Sequence, residues 1–190
     1  IRALKKEIRN KGFIKEGFDA EFFISEFDTV HQTVLDTDSE LYTFNPDIVW
    51  IFNNFRDLKI DVQPGSTAWE VEEKIQENVN QFKVLWVTLK QNSTAYIIQN
   101  NMDIPLERVF GNFEGNPPWG KTNFYRAFNS AIAKSVSSGI TIFDMEYISS
   151  LFGKAQWFDD RYWYHSKHAM TMDSIGCVAF HASKLIGAIK

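Results

Sequence analysis

Apolar and polar residues alternate along this chain in two rhythms, one helical and one extended. Ile1, Leu4 and Ile8 recur at helical spacing among Lys5, Lys6, Glu7 and Arg9, and Lys11-Gly12 offers an end to that helix. Ala20–Ile24 (AEFFI) reads as a short buried strand and Val30–Leu35 as a short helical piece. Asn45-Pro46 breaks the chain. Asp47–Phe52 (DIVWIF) then runs apolar without alternation, the pattern of a parallel strand covered on both faces. After Pro64-Gly65, Thr67 and Glu70 stand in capping-box register. Trp69, Ile75, Val79, Phe82 and Trp86 follow at roughly helical spacing and predict a long helix. Thr94–Gln99 (TAYIIQ) predicts a strand, and the Asn-, Gly- and Pro-rich stretch from Asn100 to near Lys121 a loop. Phe124, Ala127, Phe128, Ala131 and Ile132 mark one side of a helix closed by Ser137-Ser138-Gly139. Ile140–Phe143 (ITIF) predicts a strand, Asp144 caps a short helix through Ser150, and Asp173–Ile189 predicts a final helix.

Strands alternating with helices predict an α/β fold with a doubly wound, mainly parallel sheet, and residues 1–190 as one domain. The pattern opens on a helix, so a first strand is expected upstream of Ile1, in a longer parent protein.

Composition narrows the partners. A hydrophobic fraction of 44%, with 17 Phe and 6 Trp, is enough for a bulky core. The net charge of −4 has no long run of either sign, which excludes the basic face of a nucleic-acid binder. No apolar stretch nears the roughly 20 residues that span a bilayer, so no membrane partner is expected. Cys177 stands alone, which excludes an internal disulfide and fits a reduced, cytoplasmic setting.

Few motifs carry chemistry. Gly115-Asn-Pro-Pro-Trp-Gly120-Lys121-Thr122 matches a phosphate-loop pattern, but that loop works through successive backbone N–H groups and should follow directly on a strand. Pro117 and Pro118 have no N–H to give, so the expectation is a rigid loop whose Trp119 packs on the domain. The segment Trp157–Thr171 (WFDDRYWYHSKHAMT) gathers two histidines, two carboxylates and several aromatics. A helical turn would put His165 and His168 on one face, and Asp159 or Asp160 could orient a histidine that acts as a general base. The same residues also suit an aromatic plug at the end of the sheet, or a zinc site. Asn53-Asn54 follows the strand Asp47–Phe52, at the edge where open α/β sheets bind ligands. These residues read either as oxyanion donors or as a turn, and Asn100-Asn101 sits at the corresponding end of the next strand with a weaker case. Arg56 and Asp57 read as surface, and Cys177 as core. His31 and His181 are assigned no role. G-x-S-x-G, HExxH and CxxC are absent.

Three segments together resemble a known family: Ser39–Phe52 (SELYTFNPDIVWIF), Arg108–Asn129 (RVFGNFEGNPPWGKTNFYRAFN) and Trp157–Thr171. In this order and spacing they resemble the N-terminal region of FkbH-like proteins, over nearly the whole chain. The resemblance implies a flavodoxin-like three-layer α/β/α sandwich of the SGNH-hydrolase type, ahead of a haloacid-dehalogenase-type phosphatase domain expected after Lys190. It places the serine nucleophile upstream of Ile1, within a hydrolase- or acyltransferase-type multidomain enzyme. It implies an acyl- or ester-linked substrate, such as a glyceryl unit on an acyl carrier protein, and no cofactor in this domain. Carried over by position, Asn54 is the oxyanion donor, His165 or His168 the base and Asp160 its orienter. The text here reads Asn53-Asn54-Phe55-Arg56-Asp57 in place of G-x-N-D, and Asp160 stands five before His165 in place of Asp-x-x-His. A non-catalytic domain that docks a carrier protein or positions the phosphatase-like domain is the second reading, and a flavodoxin-like response module a third.

Overall fold

The computed structural model describes residues 2–189, apart from the side chains of Arg2 and Phe13. Ile1, the first apolar position of the expected opening helix, lies outside the described residues. Helix α1 (Arg2–Lys11) does not stop at Lys11-Gly12 but runs on through a π-helical turn, Gly12–Glu16, closed by Gly17 at φ 69°. Then come α2 (Val30–Leu35), α3 (Glu40–Phe44) and β1 (Ile48–Ile51). Next are α4 (Ala68–Asn92), β2 (Tyr96–Asn100), α5 (Lys121–Lys134) and β3 (Ile140–Phe143). The chain continues through α6 (Met145–Phe152), α7 (Lys154–Trp157), α8 (Asp160–Ser166) and α9 (Ile175–Ile189).

Ala20–Ile24 corrects the sequence reading, because it forms no strand. Phe22 lies under Lys5 Nζ, 5.4 Å from the ring centre, while Phe23 packs on Phe44 at 5.9 Å. A short apolar run becomes a strand only with a ladder partner, and among the described residues it has none.

The contacts divide the chain into two compact units, Phe23–Ile142 and Ile1–Phe22 with Phe143–Lys190. The first holds the sheet. Among the described residues the sheet has three strands in the order β1-β2-β3, with β1 and β2 parallel and Ile48 level with Tyr96. The expected α/β class with a parallel sheet is therefore the one observed. The β1 run is only half-buried apart from Ile51, and among the described residues β1 pairs along one edge; β2, in the middle, is buried along most of its length.

Helix α4 starts on the capping box read from the sequence: Thr67 N donates to Glu70 Oε2 at 2.7 Å and Glu70 N to Thr67 Oγ1 at 3.3 Å. It packs on α5, with Phe82 and Phe128 rings 5.7 Å apart. Leu85, Leu89, Ile97, Phe124 and Ile132 are fully buried in this core. Each such side chain contributes about 1.5–3 kcal/mol of transfer energy. Trp69, expected on the helical stripe, instead points into solvent from the first turn of α4.

In the second unit α1 packs on α9. Its buried residues include Leu4, Ile8, Val178, Ala179 and Ala182. Asp144 caps α6 as expected, accepting Tyr147 N at 3.0 Å.

Candidate functional site

At the C-terminal ends of β1 and β2, polar residues continue where the apolar runs stop, and they are buried. Gln99 and Asn100 are both fully enclosed. Buried amides must find partners, and these find one another. Asn53 N donates to Asn100 Oδ1 at 2.9 Å, and Asn100 Nδ2 donates to Asn53 O at 2.7 Å and Asn101 O at 2.9 Å. Gln99 Nε2 donates to Asn53 Oδ1 at 3.2 Å and Asn100 O at 3.0 Å, while Gln99 Oε1 accepts Trp86 Nε1 at 3.2 Å. One residue further on, Met102 exchanges two 2.8 Å bonds with the Asn129 side chain of α5. The two strand ends are thus fixed by side-chain amides where the ladder runs out.

Asn54 caps a 3₁₀ turn, Phe55–Asp57. Its Oδ1 accepts Arg56 N at 2.9 Å, and its backbone N and Nδ2 both donate to Asp57 Oδ2, at 2.8 and 3.2 Å. The turn reading of Asn54 is therefore realised, and one of its two amide N–H groups is committed to Asp57. Asp57 keeps an exposed face, yet crowding on its inner side pushes its carboxyl above the ordinary range, against hydrogen bonds from Asn54 and Asn53. Nearby Asp28 pushes the same way and Arg56 opposes it. The Arg56 guanidinium lies 4.3 Å from the centre of the Phe55 ring, and Phe55 meets Tyr125 edge-on at 5.9 Å. Burial, and then the charge of Asp103, push the Tyr125 phenol well above its usual value. Asp103 and Glu114 are buried carboxylates beside it. Sequence reasoning missed Gln99, Asp103, Glu114 and Tyr125. The available signal was a polar run, Gln99-Asn100-Asn101-x-Asp103, that begins inside an apolar strand.

The loop after β2 uses the glycines and prolines of the phosphate-loop-like pattern for packing. Gly120 is the N-cap of α5 and donates to Pro117 O at 3.0 Å. A Cβ on Gly120 would sit 2.0 Å from the Glu114 carbonyl oxygen, so glycine is needed for packing. Asn123 Nδ2 clamps Gly115 O and Pro117 O, and Trp119 packs against Phe110 and Phe113 at 5.5 and 6.2 Å.

The histidine segment belongs to the other unit. Trp157 is its fully buried plug. Asp159 caps α8 and pairs with Arg161 at 2.7 Å, which holds the Asp159 carboxyl below the usual range. Asp160 lies in the first turn of α8 and His165 in the last, about 140° apart around the axis at 3.6 residues per turn. Lys167, left-handed at φ 54°, ends the helix, so His168 lies beyond it and does not share a helical face with His165. His165 is exposed; His168 is half-buried, and burial lowers its pKa. Thr171 ties the segment back through Trp157 O and Gln156 O. An open depression of about 400 Å³ lies beside it, between Phe152, Gln156, Phe158, Asp159 and Asp173. Asp160, His165 and His168 do not line that depression. Asn54 lies in the sheet-bearing unit, Phe23–Ile142. Among the described residues no three His, Cys, Asp or Glu side chains group to hold a metal ion, and no helix is long and apolar enough to cross a membrane.

A family model described as FkbH, N-terminal domain, matches residues 3–189. The chain belongs to this family. The resemblance drawn from Ser39–Phe52, Arg108–Asn129 and Trp157–Thr171 thus named the right family. Among curated proteins none matches. A solved structure, the N-terminal part of the protein BF1531 from Bacteroides fragilis containing a phosphatase domain complexed with Mg, shares this fold with a TM-score of 0.78 at 18% identity. The match covers 98% of this chain and 48% of that one, so the FkbH domain here spans about half of its solved neighbour. That likeness agrees with the three-layer α/β/α class expected for the FkbH family.

Proposed function

We propose that this FkbH N-terminal domain binds an acyl- or ester-linked substrate at the C-terminal edge of β1 and β2, as part of a multidomain cytoplasmic enzyme that also carries a phosphatase-type domain. The amide array formed by Asn53, Asn54, Gln99 and Asn100 carries this reading. The Gln99 and Asn100 N–H groups are spent within the array and hold the strand end rigid. The second Nδ2–H of Asn54, not used by Asp57, is the donor that would meet an ester carbonyl in a fixed orientation. The SGNH-type roles follow from the family resemblance: Asn54 as oxyanion donor, His165 or His168 as base, Asp160 as orienter, and an acyl carrier protein as the source of the acyl group. No nucleophile is assigned among residues 1–190.

Aryl-ester turnover by the full-length parent protein tests this. Asn54→Ala is expected to lower kcat about 100-fold, as loss of an oxyanion donor does. One of His165→Ala and His168→Ala is expected to lower it to a similar extent. Unchanged rates in both histidine variants remove the base assignment, and an unchanged rate in Asn54→Ala removes the sheet-edge site. One observation favours the second reading, a docking role: the loop after β2 exposes Leu106, Val109, Phe110 and Phe113 together.

A further inference from the structure

Buried polar side chains normally settle their hydrogen bonds inside the fold, so one that does not points outward, to water or to a ligand. At the C-terminal edge of the sheet Asn54, Gln99, Asn100, Glu114 and Thr122 all find partners. Tyr125, early in α5, is only 5% exposed, yet among the described residues its hydroxyl forms no hydrogen bond. Its oxygen is not sealed from solvent either. The ring itself is fixed: it meets Phe55 edge-on at 5.9 Å and Phe124 at 6.5 Å. A buried ring that brings its one polar atom to an opening holds a donor in place for whatever enters there.

That opening belongs to the edge already described. Phe55 directly follows Asn54 in the chain. Arg56, whose backbone N–H is accepted by Asn54 Oδ1, acts electrostatically on both Asp57 and Tyr125. Burial, then Asp103, and to a smaller extent Glu114 push the phenol above its ordinary value, against the opposing charge of Arg56. The hydroxyl therefore keeps its proton at neutral pH and can donate it in a hydrogen bond. A carbonyl that gains negative charge in a transition state is stabilised by donors aimed at it beforehand. Asn54 has one Nδ2–H left for that purpose, since the other goes to Asp57. The Tyr125 hydroxyl adds a donor with no internal bond to break.

We propose that the Tyr125 hydroxyl is a second hydrogen-bond donor to the carbonyl oxygen of the acyl- or ester-linked substrate, beside the uncommitted Nδ2–H of Asn54. The proposal rests on the sheet-edge reading above and adds a catalytic residue to it. The phenol stabilises developing charge and transfers no proton.

Tyr125→Phe removes one oxygen and keeps the ring contacts. The test measures aryl-ester kcat, KM and melting temperature in the full-length parent protein. Asn54→Ala reports on the edge itself, and Tyr96→Phe, at the opposite end of β2, on the loss of a tyrosine hydroxyl elsewhere. Charge develops on the carbonyl in the transition state, so Tyr125→Phe is expected to lower kcat at least about ten-fold, with KM changed less than about three-fold. The hydroxyl has no bond inside the fold, so the melting temperature should not fall. Tyr96→Phe should leave kcat and KM as they are. A wild-type kcat in Tyr125→Phe, with Asn54→Ala impaired, overturns the inference and leaves the sheet-edge reading standing. So does a lower melting temperature in Tyr125→Phe, which makes the hydroxyl a structural group, or an equal loss of kcat in Tyr96→Phe. An unchanged rate in Asn54→Ala, or a parent protein without ester turnover, removes the sheet-edge reading and this inference with it.

Discussion

Asn100 shows how much one side chain can hold. Its carbonyl receives Asn53 N–H and its amide serves two carbonyls, all in a fully buried place. Truncation would take the partner from the Asn53 N–H and from the Asn53 and Asn101 carbonyls at a buried or half-buried strand end. A buried polar group left unsatisfied costs about 1–3 kcal/mol. Asn100→Ala is therefore expected to destabilise by roughly 2–4 kcal/mol, because more than one group is orphaned. Asn92→Ala, at an exposed amide bonded to Thr88 O, should stay within about 0.5 kcal/mol. Urea unfolding of the two variants decides it. Equal midpoints would mean that the array is slack, and the case for a rigid ligand edge would go with it. Asn53-Asn54 was legible in the sequence as a candidate ligand edge because it follows an apolar strand. Asn100-Asn101 was legible in the same way, at the end of the next strand, but its bond to Asn53 and the part played by Gln99 were not, because the two strand ends lie nearly fifty residues apart and only strand register brings them level.

Elements were legible where their signals are local. The capping box at Thr67 and Glu70, the Asp144 cap and the apolar side of α5 depend on residues three or four apart, and each appears as read. Ala20–Ile24 was misread because a strand is a relation between two segments, and no propensity supplies the partner. The π-helical turn after Lys11 was hidden for a similar reason: Gly12 lies against the Phe18 ring, and a Cβ there would come within 2.3 Å of it. The start of α5 is a third such case. Gly120 belongs to a phosphate-loop pattern by letter and to a packing constraint by geometry. Gly120→Ala is expected to cost about 3 kcal/mol, since the clash is with the Glu114 backbone and the loop must shift. A measured loss below about 0.5 kcal/mol would show that the loop yields easily, and would weaken the docking reading, which needs that apolar surface held in place.

At the scale of the whole molecule, the shifted groups fix how stability responds to acid. His168 is lowered by burial from its ordinary 6.5, so the folded state binds its proton less readily than the unfolded chain does. That contribution is present above pH 6.5 and is lost as pH falls through the lower folded value. Asp19, Glu70 and Asp159 are lowered by their hydrogen-bonded partners, so they also lose stabilisation on acidification, but in the carboxylate range. Asp57 works the other way. Its raised carboxyl favours the fold below its ordinary 3.8, and that favour is lost as pH rises through the shifted value. Of the groups whose stabilisation is lost on acidification, His168 has the highest ordinary value. The melting temperature should therefore begin to fall below about pH 6.5, ahead of the losses at Asp19, Glu70 and Asp159. His168→Asn should flatten that first stage and leave the deeper acid loss in place. Calorimetric scans of both proteins between pH 4 and 8 are the measurement. A wild-type melting temperature that stays level down to pH 5, or a variant with the same early slope, would show that His168 is not held neutral by the fold, and its candidacy as a base would lose its physical support.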